Sequence, residues 1–77
     1  MKIEVGKTYL TLNDYFVTIL CDVRTQGFTG RYGLCSEIFP YHAIMYGIGF
    51  YNYTESGEER NGAGSMRLYK EYIEYED

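Results

Sequence analysis

The sequence predicts a mostly β fold, built as a small antiparallel sheet or an SH3-like barrel of about five strands. Three observations carry this prediction. The chain has 77 residues, so residues 1–77 are expected to form a single domain. Several segments alternate apolar and polar residues and are rich in β-forming side chains. Glycine, asparagine and serine separate these segments, as turns do between short strands.

The first two predicted strands lie in the N-terminal part of the chain. Residues 7–12 alternate as a short strand does, and Asn13-Asp14 follows them as a turn signal. Residues 15–23 form the clearest strand of the sequence, with one uniformly apolar face and one mixed face. The apolar face is expected to point inward and consists of Val17, Ile19, Cys21 and Val23.

The connections and the last strands are less regular. Residues 24–30 are expected to form a loop, and residues 32–36 a weaker strand that ends before Pro40. Residues 54–65 are rich in glycine and acidic residues and predict a second loop. Residues 66–77 fit a final strand that frays into an acidic tail, and Leu68, Tyr72 and Tyr75 alternatively fit the spacing of a helix.

An aromatic and glycine-rich stretch is predicted to be a strand over residues 44–53. Alternation places Ile44, Tyr46, Ile48 and Phe50 on a core face. The opposite face carries a notch, where glycines leave space for a ligand or a backbone, or alternatively a bulge that bends the strand. This second face is the predicted working face and consists of Met45, Gly47, Gly49, Tyr51 and Tyr53.

The charge pattern limits the classes of partner. The formal net charge is −4 and the basic residues are not clustered, so direct binding to DNA or RNA is not expected. The acidic residues of the second loop and of the C-terminus are interpreted either as solvated surface or as a contact for a basic protein surface. These residues are Glu55, Glu58, Glu59, Glu71, Glu74, Glu76 and Asp77.

Catalytic and metal sites find no support in the sequence. His42 is the single histidine, and no motif spacing joins it to Cys21 and Cys35 as metal ligands or as a nucleophile and its base. The protein is therefore predicted not to be an enzyme and to need no cofactor. The N-terminus lacks the apolar core of a signal peptide and no segment has the length of a membrane span. A cytoplasmic location without membrane contact is expected, with both cysteines reduced.

Short motifs in both halves of the chain carry a resemblance. Residues 6–11 read GKTYLT, a turn follows at residues 13–14, and residues 17–20 read VTIL. Tyr53-Thr54 and Gly57 close the later aromatic segment. In these motifs the chain resembles a loose group of small, β-rich phage and prophage proteins, mostly uncharacterised, although it lacks their usual Asp-Gly turn. The resemblance implies a phage accessory gene, whose small acidic products often bind and disable a host factor.

The leading functional hypothesis is a non-catalytic protein that binds and inhibits a host factor in the host cytosol, for example an anti-CRISPR or other anti-defence inhibitor. The chain has ten tyrosines and no tryptophan, and tyrosine supplies large contact area with a polar tip. The expected partner is a host protein, including one that itself binds nucleic acid. The predicted binding residues are Met45, Gly47, Gly49, Tyr51, Tyr53, Glu55, Glu58, Glu59, Tyr69, Tyr72 and Tyr75.

Two other functions are left open by the sequence. In the first, the protein sequesters a small nucleotide whose base stacks on the predicted working face and whose phosphates bind Arg31, Arg60 or Arg67. In the second, it is a structural or self-assembling phage protein whose tyrosines form contacts between copies, as in a homodimer. A co-purified nucleotide indicates the first function, and concentration-dependent assembly indicates the second.

Overall fold

The computed structural model describes residues 2–26, 38–62 and 64–73. Within these residues the chain forms five β-strands, one short helical turn and one 3-10 turn. In chain order the elements are β1 (Thr8–Thr11), β2 (Phe16–Asp22), α1 (Val23–Gln26), β3 (Tyr41–Met45), β4 (Gly49–Tyr53), the 3-10 turn (Gly64–Met66) and β5 (Leu68–Glu71).

The strands form one antiparallel sheet with the order β4-β3-β2-β1-β5. The predicted fold class is confirmed, and the sheet is open, with β4 and β5 at its edges. The segment between these edge strands contacts both of them. Tyr53 pairs with Glu59, and the amide of Leu68 donates to the carbonyl oxygen of Gly57 at 2.9 Å. These bonds shield part of each edge from pairing with another chain.

The predicted turn at Asn13-Asp14 is confirmed and joins β1 to β2. Asp14 has a φ of 62°, a left-handed conformation that aspartate tolerates better than most residues. The hydroxyl oxygen of Thr11 accepts hydrogen bonds from the amides of Asn13 and Tyr15, at 3.2 and 3.1 Å. The fully buried Thr11 thus supplies the acceptor for two backbone donors of the turn.

The connection from β2 to β3 differs from its prediction at its start. Strand β2 ends at Asp22, and Val23 begins α1, where it is half-buried instead of continuing the inward face. The predicted loop at residues 24–30 therefore begins as a helical turn. The predicted strand at residues 32–36 lies outside the described residues.

The prediction of one continuous strand over residues 44–53 is wrong, because this segment is a hairpin. The amide of Ile48 donates to the carbonyl oxygen of Met45 at 3.0 Å and closes a turn. Gly47 sits at the third position of this turn with a φ of 84°, close to the value of about 80° that a type II turn requires there. The glycines that suggested a notch in a strand are thus the residues that allow the chain to reverse.

The face assignment within this segment is also wrong, and the register of the sheet gives the reason. Met45 pairs with Val17 and Ala43 pairs with Ile19, and both β2 residues are buried as predicted. Directly opposed residues share a face of a sheet, so the odd-numbered residues of β3 and β4 point into the core. The positions predicted to be core are instead exposed or half-buried, and they are Ile44, Tyr46, Ile48 and Phe50.

The core lies on one side of the sheet and contains tyrosines whose hydroxyl groups bind the backbone. The Tyr9 hydroxyl donates to the carbonyl oxygen of Lys2 at 3.1 Å and accepts from the amide of Glu4 at 2.8 Å. The Tyr53 hydroxyl donates to the carbonyl oxygen of Met66 at 3.0 Å, and burial raises the pKa of Tyr53 well above its usual value. These bonds fasten the N-terminal segment and the 3-10 turn to the sheet. The buried cluster is Ile3, Tyr9, Val17, Ile19, Tyr41, Ala43, Met45, Tyr53 and Leu68.

The predicted final strand is confirmed over Leu68–Glu71, where β5 pairs with β1. The register of this pair shifts between Leu10 and Thr11, so that Tyr69 is the extra residue of a β-bulge. Beyond residue 73 the predicted acidic tail lies outside the described residues.

Candidate functional site

The solvent-facing side of the sheet is strongly apolar. In an antiparallel sheet with one buried face, the outward positions normally alternate with the core and carry polar side chains. Here the outward positions of the central strands carry leucine, isoleucine and phenylalanine, and Phe50 is 63% exposed. We call this surface the outer face and define it by Leu10, Phe16, Leu20, Ile44, Tyr46, Phe50 and Tyr72.

Strand pairing makes the outer face contiguous. Leu10 lies opposite Phe16 in the β1–β2 pair, and Ile44 lies opposite Phe50 in the β3–β4 pair. The two pairs are joined at Tyr46, whose amide donates to the carbonyl oxygen of Phe16 at 3.0 Å. The ring of Tyr72 meets the ring of Phe16 edge to face, with 5.0 Å between centroids and 81° between planes. This geometry is favourable for aromatic rings and fixes both side chains on the surface. The apolar groups therefore form a patch that crosses the sheet, which is typical of an interaction surface.

One end of the outer face is organised by the single histidine. The His42 ring stacks on the ring of Phe50, with 5.3 Å between centroids and 9° between planes. Its Nδ1 lies 3.0 Å from the side-chain oxygen of Asn52, which is buried. The His42 ring thus packs against Phe50, while its Nδ1 forms a hydrogen bond with Asn52.

The middle of the outer face carries a row of hydroxyl groups. The hydroxyl oxygens of Thr8 and Thr18 are 2.7 Å apart, and the Thr18 hydroxyl donates to the Tyr46 oxygen at 3.0 Å. Because Thr18 donates to Tyr46, the Tyr46 hydroxyl keeps its own proton for a further acceptor. The exposed end of this row can therefore donate a hydrogen bond to a bound partner.

Within residues 2–26, 38–62 and 64–73, none of the predicted acidic contacts is one of the residues that define the outer face. Glu55 forms an ion pair with Arg24, whose guanidinium also binds both carboxylate oxygens of Asp22 at 3.1 and 3.0 Å. The same group lies 5.5 Å from the ring centroid of Tyr41. The Arg24 hydrogen bond lowers the pKa of the Asp22 carboxyl group. We call Asp22, Arg24 and Glu55 the Arg24 clamp, and its contacts indicate a structural role.

Two more predicted acidic contacts are already engaged within the chain. The Glu71 carboxylate lies 3.4 Å from Lys7, which also pairs with Glu4. Glu59 is buried, and its carboxylate accepts hydrogen bonds from the amide and the side chain of Asn61 at 2.7 and 3.1 Å. The prediction of Glu59 as a surface contact is therefore wrong, since its carboxylate is used to order its own loop.

The predicted working face is wrong for its largest side chains. Met45 and Tyr53 are fully buried, and the half-buried Tyr51 packs against the core. Gly47 and Gly49 shape the hairpin turn and form no ligand notch between aromatic walls. Of the other predicted binding residues, Glu58, Tyr69 and Tyr72 are exposed, whereas Tyr75 lies outside the described residues.

Sequence reasoning missed most of the outer face. Alternation in the sequence places Phe16 and Leu20 on the mixed face of the clearest strand, and Ile44 and Phe50 in the core. The outer face can be recognised when the apolar residues on both sides of β2 are considered together with those of the β3–β4 hairpin. Because the Val17 side of β2 is uniformly apolar, any apolar residue on its other side is surplus to the core and must lie on a surface.

A separate cavity lies in the loop between β4 and β5, with a volume of about 380 Å³. It brings together two of the three arginines that were predicted to bind phosphate, Arg60 and Arg67, whereas Arg31 lies outside the described residues. The described residues that line the cavity are Phe39, Glu58, Glu59, Arg60, Gly62, Gly64 and Arg67.

The described part of the chain contains neither a cluster of metal-ligating side chains nor a helix that could span a membrane. Across residues 2–26, 38–62 and 64–73, no three histidine, cysteine, aspartate or glutamate side chains converge as metal ligands do. None of the helices in these ranges is long and apolar enough to cross a membrane.

Comparison with known proteins adds no family to this geometry. No family model, no curated protein and no solved structure matches the chain. The function is therefore inferred from the surface itself, in which an aromatic and aliphatic patch covers the solvent side of a small open sheet.

Proposed function

We propose that the protein is a non-catalytic binding protein and that its outer face contacts a partner protein. The observation that carries this proposal is the contiguous apolar patch on the solvent side of the sheet, where Phe50 alone is 63% exposed. A monomer gains nothing from exposing such a patch, whereas an interface gains from burying it. Aromatic side chains at the centre of a patch are also the residues that contribute most to binding energy.

The proposed partner is a host protein with an apolar surface bordered by basic residues, and binding inhibits it. Two observations support this choice. The net charge of −4 favours encounter with a basic surface, including one that binds nucleic acid. The motif resemblance to small phage and prophage proteins supports an accessory protein that acts in the host cytosol against a host or defence factor.

The net charge and the outer face have different roles in such an interface. Several acidic residues are already paired with Lys7 and Arg24, so they are not free to form specific contacts. The negative net charge of the chain instead attracts a basic surface over long range and speeds the encounter. The outer face then holds the complex by excluding water from its rings. The Tyr46 hydroxyl, which accepts from Thr18, can donate one directional hydrogen bond to the partner.

A matched pair of leucine variants tests this proposal. Leu20 is one of the residues that define the outer face and is 44% exposed, whereas Leu12 lies in the β1–β2 turn, is not one of those residues and is 55% exposed. The wild-type protein is first used to isolate a partner from a bacterial host, and the purified partner is then titrated with each variant. We expect Leu20→Ser to weaken binding by about tenfold or more, and Leu12→Ser to change it by less than about twofold.

Two results contradict the proposal. Equal loss of affinity in both leucine variants shows that the outer face is not the contact. Sedimentation that shows a stable dimer of the wild type, broken by Leu20→Ser, assigns the outer face to a second copy of the chain instead of a host protein. An association rate that is independent of salt removes the electrostatic part of the partner description.

A further inference from the structure

The cavity between β4 and β5 is distinct from the outer face and has the size of a small-molecule site. Its volume of about 380 Å³ falls within the range of roughly 300–1,000 Å³ that is usual for ligand pockets. The half-buried Phe39 lines one wall, and Gly62 and Gly64 line another. A Cβ atom at Gly62 or Gly64 meets no heavy atom within 4 Å, so this wall leaves open space.

The backbone on both sides of this cavity is anchored. The amide of Arg60 donates to the carbonyl oxygen of Asn52 at 2.9 Å, which ties it to β4. The carbonyl oxygen of Arg67 accepts from the amide of Leu12 at 3.1 Å, which ties it to the β1–β2 turn. The two guanidinium groups therefore project from fixed points, which lowers the ordering cost of binding a ligand between them.

Arg60 and Arg67 differ from Lys7 and Arg24 in the carboxylates that surround them. Lys7 and Arg24 each bind two carboxylates, whereas neither Arg60 nor Arg67 forms an ion pair with any residue that the structure describes. In a chain with net charge −4, two arginines that share a cavity without a carboxylate partner are available for an external anion.

Glu58 and Glu59 also line the cavity, but neither forms an ion pair with Arg60 or Arg67. Glu59 is buried and its two oxygens are committed to Asn61, at 2.7 and 3.1 Å. Glu58 is exposed, and its backbone amide is fixed by the Thr54 hydroxyl oxygen at 3.0 Å. Its side chain is free to turn toward water, which limits repulsion of a bound anion.

We propose that this cavity binds a small phosphorylated molecule, with its phosphate group held by Arg60 and Arg67. The fork of a guanidinium group matches phosphate oxygens in a bidentate manner, and two such groups neutralise a phosphate dianion. The ring of Phe39 provides the apolar wall against which the rest of the molecule lies. This site is independent of the outer face and of the partner proposed for it.

The test uses AMP and pyrophosphate as probes, titrated into the full-length protein and followed by calorimetry and by NMR shifts. Arg60→Gln and Arg67→Gln each remove one guanidinium, and Lys70→Gln is the control, because Lys70 is an exposed cation on β5 that does not line the cavity. We expect saturable binding by the wild type, about tenfold weaker in each arginine variant and changed by less than about twofold in the control.

Two results overturn the inference. The first is the absence of saturable binding of either probe to the wild type. The second is an equal loss in Lys70→Gln and in the arginine variants, which shows that net charge and not the cavity controls binding. Thermal unfolding of each variant excludes a folding defect, since the described contacts of both guanidinium groups include no ion pair to lose. Retention of AMP binding by Leu20→Ser separates this site from the outer face.

Discussion

Both faces of the sheet carry tyrosines, but the tyrosines of the two faces have different surroundings. On the core side, the hydroxyl groups of Tyr9 and Tyr53 reach backbone groups and lie with their rings in the protein interior. On the outer face, Tyr46 and Tyr72 are more than a third exposed and their rings meet solvent. The comparison shows that tyrosine content alone does not identify an interface, because the same residue can complete a small core.

The largest difference between the faces is expected in stability. Met45→Ala removes a fully buried side chain, and we expect it to lower the free energy of unfolding by about 2–5 kcal/mol. Phe50→Ala removes an exposed ring from the outer face and should change it by about 0.5 kcal/mol or less. Urea denaturation of both variants measures the two values. A larger loss in Phe50→Ala than in Met45→Ala contradicts the face assignment.

The second effect concerns the Arg24 clamp, which supports the core side of the sheet. Asp22→Ala removes the acceptor of the Arg24 amide and guanidinium bonds, and we expect a loss of about 2 kcal/mol at neutral pH. Glu58→Ala, which removes an exposed carboxylate, is the control and should be close to neutral.

The Arg24 clamp also has a defined pH dependence. The pKa of Asp22 is lower in the folded protein than its unfolded value of about 3.9, so its contribution is complete above that pH and is lost as the pH falls through the folded pKa. Wild-type stability should therefore decline in acid more steeply than that of Asp22→Ala. Parallel acid profiles for the two proteins exclude this role for Asp22.

A third prediction concerns the hairpin turn that assigns β3 and β4 to their faces. Gly47→Ala places a Cβ atom at a φ of 84°, and we expect a loss of about 1–2 kcal/mol. Gly64→Ala is the matched control, since a Cβ there meets open space at an ordinary φ. Thermal or urea unfolding of both variants provides the comparison, and an equal response of the two glycines refutes the turn geometry.

The smallest predicted effect compares one tyrosine hydroxyl from each face. Tyr53→Phe removes the bond to the Met66 carbonyl oxygen and should cost about 1 kcal/mol, whereas Tyr46→Phe on the exposed surface should cost less. Urea unfolding at neutral pH ranks the pair. A greater cost for Tyr46→Phe reverses the expected order.

The buried hydroxyl has an alkaline signature as well. Because burial raises the pKa of Tyr53, its contribution is complete below the unfolded tyrosine pKa of about 10 and is lost as the pH rises above that value. Tyr53→Phe should therefore lose less stability than the wild type in alkaline solution. The difference in tyrosinate absorbance between the wild type and Tyr53→Phe at increasing pH separates Tyr53 from the other tyrosines, and ionisation of Tyr53 at a pH of about 10 in the folded protein opposes this account.

The sequence was sufficient for the fold class, the inward face of β2 and the turn at Asn13-Asp14. Each of these depends on local pattern or on the turn preference of one residue pair. The sequence was insufficient for the hairpin at residues 45–49, because glycine within an alternating run fits both a bulge and a reversal of the chain. The face of each residue in that segment then depends on pairing with β2, which is a long-range property.

The candidate site was harder to predict for the same reason. Because Met45 pairs with Val17, residues that were predicted to be core lie on the outer face, and Tyr53, which was predicted to be exposed, is buried. The proposed phosphate-binding role of the cavity could be predicted in part, since the sequence already indicates Arg60 and Arg67 as candidate phosphate contacts. Their common location depends on how the β4–β5 connection folds back on β1, which no local pattern encodes.

A cross-linking experiment tests the role of the outer face most directly. A photoreactive phenylalanine analogue replaces either Phe50, on the outer face, or Phe39, in the cavity wall, and each protein is irradiated with the isolated partner. We predict a covalent adduct with the partner from position 50 and none from position 39. An adduct from position 39 alone, or an adduct from position 50 with a second copy of the chain, contradicts the proposal that this face binds a host protein.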